Sequence, residues 1–146
     1  MDNVIYAATV DLDLGSSTTY DLGATFPDEL ITETSHTLQL TLHDSGVAYD
    51  ISSLTASTVK IKKNDSTASA TTLSTGTLTT DGTDGRIDFI INKDLIPASL
   101  AAFAQSPDRP VVLYYITIED ANSKIQVRKL ITIYDIDGTG SGSANP

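Results

Sequence analysis

His43, Asp44 and Ser45 stand side by side in LHDSGVAYD, and they are the three residue types of a hydrolytic triad. A triad needs the imidazole to reach the serine hydroxyl with one nitrogen while a carboxylate holds the other. Consecutive residues on extended chain point to opposite faces, so these three do not build that site among themselves. The second histidine, His36, shares the parity of Leu38, Leu40 and Leu42, whereas His43 shares that of Thr37, Gln39 and Thr41. Two rings on opposite faces of a strand make neither a metal site nor a relay. HDSG reads instead as a turn, because Asp, Ser and Gly tolerate the left-handed backbone that turns require.

The acidic pairs are the next candidates. Asp11 and Asp13 lie on one face of a strand, Asp135 and Asp137 sit in DIDG, a fragment of a calcium loop, and TDGTDG offers Asp81 and Asp84. None is followed by a glutamate at the distance an EF-hand loop demands. The chain has no HExxH, no phosphate-binding glycine loop and no serine elbow. The expectation is a protein that is not an enzyme and has no cofactor and no bound metal.

The elements that carry these residues announce themselves by alternation. HTLQLTL places three leucines on one parity and polar residues on the other, the pattern of a half-buried strand. The same period sets Val59 and Ile61 against Lys60 and Lys62, and Ile87, Phe89 and Ile91 against Arg86 and Asp88. VIYAATVDLDL puts Val4, Tyr6, Ala8, Val10, Leu12 and Leu14 on one side, as a first strand or an arm laid on a neighbour. Turn-rich clusters (HDSG, KKNDS, TDGTDG, DANSK) separate the runs. The Ser/Thr/Gly tract at 64–85 reads as a loop followed by an edge strand. One short helix is expected in KDLIPASLAAFAQSPDR, with Pro97 in its first turn and Leu100 and Phe103 three apart.

About seven or eight short strands in one chain favour an antiparallel β-sandwich over any α/β fold. The expected division is an N-terminal strand or arm at 1–30, a sandwich at 31–137 and a Gly/Ser-rich tail at 138–146.

Charge is unevenly spread. The net charge is −10, yet every Lys and Arg lies at or after Lys60, and all acids before that point are unopposed. Phosphate binding needs a Lys/Arg footprint, so free nucleic acid is an improbable partner for such a chain. There is no cysteine, hence no disulfide framework. The N-terminus lacks the pattern of a signal peptide, and the longest apolar run, VVLYYITI, is too short to cross a bilayer. A soluble protein with no membrane partner is expected.

The last hairpin, PVVLYYITIE to KIQVRKLITIYDI, carries more apolar surface than one face needs. Val112, Tyr114, Ile116 and Ile118 define one parity; Val111, Leu113 and Tyr115 define the other, joined on the return strand by Leu130, Tyr134 and Ile136. The second face is covered either by the chain's own N-terminal segment or by a partner.

These segments together resemble the immunoglobulin-like domain at the N-terminus of phage baseplate upper proteins and related tailed-phage virion proteins. The match runs through the D-x-G turn at Asp44 to Gly46, the segment Ala48 to Leu54, the strand and lysine-rich turn Val59 to Asp65, the stretch containing Asp84, Gly85, Ile87, Phe89 and Leu95, and the closing hairpin. It spans roughly residues 36–136. The family's Gly-x-Tyr corner before the penultimate strand is replaced here by PASLAAFAQSPDRP. The resemblance implies an immunoglobulin-like sandwich that is a structural part of a tailed-phage virion, assembled in the host cytoplasm in many copies or as a homo-oligomer. Capsid decoration and tail or baseplate attachment are both open. Val4, Tyr6 and Val10 on the arm, with Leu113, Tyr115, Leu130 and Tyr134 on the hairpin, are the expected contacts with other virion proteins. The competing reading is a carbohydrate- or receptor-binding sandwich whose platform, in the absence of Trp, rests on tyrosines.

Overall fold

Alternating apolar residues on nine- to twelve-residue strands pair off into two sheets that face each other across a single core. The computed structural model describes residues 4–13, 18–31, 34–64, 69–78, 80–97, 100–103, 111–121 and 124–135, with backbone alone for 31, 101–103, 134 and 135. In chain order the strands are β1 (Val4–Leu12), β2 (Thr19–Asp21), β3 (Glu29–Ile31), β4 (His36–Asp44), β5 (Val47–Ala48), β6 (Ala56–Lys63), β7 (Thr71–Thr75), β8 (Arg86–Ile91), β9 (Ala101–Phe103), β10 (Val112–Glu119) and β11 (Lys124–Asp135).

The first sheet is built on β4, with β1 along one edge and β8, then the short β5, along the other. The second runs β2–β11–β10–β6–β7, and β3 and β9 flank the far end of β11. Leu38, Leu40 and Leu42 from β4 and Ile87, Phe89 and Ile91 from β8 meet Val59, Ile61, Tyr114, Ile116 and Val127 from the opposite sheet, all buried. The fold is an all-β sandwich.

Three expectations change in detail. The sheets are mixed, because β1 runs parallel to β4 and β2, β3 and β9 all run parallel to β11. An alternating strand looks the same to either kind of neighbour, so direction was not in the pattern. The expected helix is reduced to a 3-10 turn at Lys93–Leu95, with Asn92 accepting from the Asp94 N–H, followed by strand β9. Leu100 and Phe103 fit a helical spacing, but the end of β11 offers residues 101–103 an open ladder. Finally, the N-terminal stretch, expected as a strand or an arm, supplies strands to both sheets. Ala8, Val10 and Leu12 are buried in the core, and Leu22, Phe26 and Leu30 join them. The 138–146 tail lies outside the described residues.

β7 is an edge strand, as the Ser/Thr tract suggested. Just beyond it the chain crosses from one sheet to the other. Gly76 N–H bonds to the Ser57 carbonyl in the second sheet, and Thr77 exchanges two hydrogen bonds with Asp88 in the first. A Cβ at residue 76 would strike Ser57 Oγ and stand 2.6 Å from Ile87 Cδ1, so any side chain at the crossing forces those neighbours to shift.

Candidate functional site

The triad letters resolve into a turn and two unrelated histidines. Ser45 and Gly46 both have positive φ, 54° and 81°, and close a two-residue hairpin between β4 and β5. Asp11, across the sheet, accepts the Gly46 N–H at 3.1 Å and fastens that turn. His43 points out of the first sheet and pairs in register with Asp11 and Ala48.

His36 points the other way and is buried. Its Nε2 shares a 3.0 Å hydrogen bond with Tyr114 Oη, and the rings of Tyr6, Phe26 and Tyr114 surround it at centroid distances of 5.7–5.9 Å. Burial pushes the His36 pKa down to about 4, and burial raises that of Tyr114, so both stay neutral at neutral pH. The arrangement is a polar knot in the core, in which His36 and Tyr114 satisfy each other's polar atoms.

The acids of the loops are likewise occupied locally. Asp50 accepts the Ser52 N–H and Asp81 the Thr83 N–H and hydroxyl; side-chain and then backbone hydrogen bonds from Ser52 and Thr83 hold the two carboxyls below the ordinary range. Among the described residues no group of three or more His, Asp or Glu is placed to hold a metal. No helix of the described residues is long and apolar enough to cross a membrane.

The feature that stands out is the outer face of β10 and β11. Alternation turns Val112, Tyr114, Ile116 and Ile118 inward and leaves Leu113, Tyr115 and Thr117 facing out. Register then builds cross-strand rows. Leu113 lies between Lys62 of β6 and Leu130 of β11, and Tyr115 lies between Lys60 and Arg128, which is itself opposite Asp21 of β2. Leu130 is 52% exposed and Val111, just before β10, 46%. Thr19, Asp21, Asn64, Leu113, Arg128 and Leu130 line an open depression of about 590 Å³ on this face. Its floor is aliphatic, and the cations Lys60, Lys62 and Arg128 around it outnumber the acid Asp21, an arrangement suited to a protein surface that brings carboxylates with apolar side chains.

Of the expected contact residues, Leu113, Tyr115 and Leu130 are together on this face. The backbone of Tyr134 pairs with β3 and β9, and its side chain lies outside the described residues. On β1, Val4 is exposed, but Tyr6 packs edge-on to Phe26 at 5.3 Å and Val10 is buried, so these two serve the chain's own core. The outward residues of β1 are Ile5, Ala7, Thr9 and Asp11. Since β1 belongs to the opposite sheet, it does not cover the hairpin. Lys60, Lys62 and Arg128 were not singled out from the sequence, although the period of two in VKIKK and QVRKL already put them on the outward parity.

No protein-family model matches the chain, and no curated protein sequence does. Among solved structures, it is similar to the N-terminal domain of phage TP901-1 ORF48, over 88% of this chain and 98% of that chain, with 9% sequence identity and a TM-score of 0.37. At that distance the likeness carries no argument about this chain.

Proposed function

We propose that this chain is a non-enzymatic structural module of a tailed-phage virion, which docks on other virion proteins through the outer face of β10 and β11. The observation that carries the docking is the second apolar face of the hairpin: with the inner face complete, Leu130 and Val111 still stand in solvent beside half-buried Leu113 and Tyr115. The virion setting is supported by the resemblance of the turns. Asp44 to Gly46 forms the β4–β5 turn, Val59 runs through β6 into its lysine-rich end, and Asp84 and Gly85 lead into β8.

The test is incorporation. Leu130→Glu and Leu113→Glu should give folded protein that is lost from particles assembled with the remaining virion proteins. Normal incorporation of both variants would remove the docking face. A glycan array with the purified chain is the companion experiment, because saturable binding abolished by Arg128→Ala would replace docking with the carbohydrate reading.

A further inference from the structure

The sandwich is electrically lopsided in a way that names a partner. Lys60, Lys62 and Arg128 flank the apolar floor of the outer face, with Lys63 exposed at the end of β6. At one end of the sandwich, hydrogen bonds gather the opposite charge. Ile51 N–H to the Gly82 carbonyl, Leu42 N–H to the Gly85 carbonyl and Tyr49 Oη to Asp120 tie the 44–52, 80–85 and 119–121 turns together. That end presents Asp13, Asp44, Asp50, Asp81, Asp84 and Asp120. Of the cations near it, Arg86 is paired with Asp88 at 3.2 Å, and Lys124 lies across the ladder from Glu119.

We propose that the occupant of the outer face of β10 and β11 is this acidic turn end of a second copy of the chain; the inference rests on the docking reading above and supplies its partner. Carboxylates of one copy meet Lys60, Lys62 and Arg128 of the next, while apolar contact over Leu113 and Leu130 supplies the area that does not depend on charge. Because the two surfaces differ, the contact is heterologous. It leaves a free face on one copy and a free end on the other, so it propagates into a ring or an open file of copies, the geometry of a repeated particle component. The exposed charges make the contact sensitive to salt, since the screening length shortens to about 8 Å at physiological ionic strength.

Sedimentation velocity of the full chain decides it, with near-UV circular dichroism confirming that each variant is folded. The wild-type chain should sediment above monomer mass at low salt and dissociate as salt is raised. Lys60→Glu with Lys62→Glu should be monomeric, and so should Asp13→Lys with Asp44→Lys. An equimolar mixture of the two charge-reversed proteins should associate again, because the unaltered end of the first meets the unaltered face of the second and the two reversed surfaces complement each other. A wild-type chain that stays monomeric at every salt and concentration, or a mixture that does not associate, overturns the proposal. If such a monomer still requires Leu130 for incorporation, the self-contact falls and the docking reading stands.

Discussion

The two faces of the β10–β11 hairpin share strands, register and a surplus of apolar residues, yet they are put to different uses. On the inner face Tyr114, Ile116 and Val127 are buried, and the polar atoms among them are answered: Tyr114 by His36, and Lys129 by the loop it holds. Lys129 has the inward parity, opposite Tyr114, and its Nζ donates to the carbonyls of Gly23 and Phe26 and pairs with Asp28 at 3.1 Å. On the outer face exposed Arg128 and half-buried Lys60 and Lys62 stand beside Leu113 and Leu130. The difference teaches that apolar content alone does not mark a core. What separates the faces is burial: among the described residues the inner polar groups are enclosed with their hydrogen-bond partners, and the outer ones reach solvent.

Substitutions across the hairpin test that distinction. The largest effect belongs to Tyr114→Ala, which empties the centre of the aromatic cluster and strands His36; about 3–5 kcal/mol should be lost in denaturant titration. A loss below about 1 kcal/mol would mean that the inner face is loosely packed. Next comes acid. His36 has a folded pKa of about 4 against 6.5 for the free side chain, so the unfolded chain takes up the proton first. Stability should be full above about pH 6.5 and fall as the pH is lowered to about 4, by about 3 kcal/mol in all. In His36→Phe that slope should vanish, and unfolding midpoints followed from pH 7 to 4 would show it. The slope from Asp50 and Asp81 lies lower still, because their carboxyls are held below the ordinary value of 3.8.

Lys129→Met should cost about 1–3 kcal/mol by leaving the Gly23 and Phe26 carbonyls without their donor, and hydrogen exchange should rise first in the 22–28 loop. The smallest effect on stability is expected from Leu130→Glu, within about 0.5 kcal/mol, because about half of that side chain already stands in solvent. If Leu130→Glu were as costly as Tyr114→Ala, the two faces would both be core and the comparison would collapse.

The strands and their buried parity were readable because alternation is a local property: HTLQLTL and RIDFII report their inner faces within a few residues. The separation of His36 from His43 followed from the same count. Pairing direction was not readable, since Val10 alternates identically whether β4 runs with it or against it. Nor was β9, where a three-residue spacing of apolar side chains suggested a helix and a distant strand edge decided otherwise. The candidate face was half visible. Leu113, Tyr115 and Leu130 drew attention as excess apolar residues, but the lysines beside them depend on β6 lying next to β10, and neighbours along a sheet are set by topology.

The parallel ladders to β11 bear on how the molecule comes into being. Thr19 pairs with Gln126 and Glu29 with Thr132, so two early strands wait for a late one. During synthesis β2 and β3 emerge without a place in any sheet, and the second layer closes only when β11 has left the ribosome. Folding should therefore be slow, late and all at once, and a chain halted before residue 124 should behave as a substrate for chaperones and proteases.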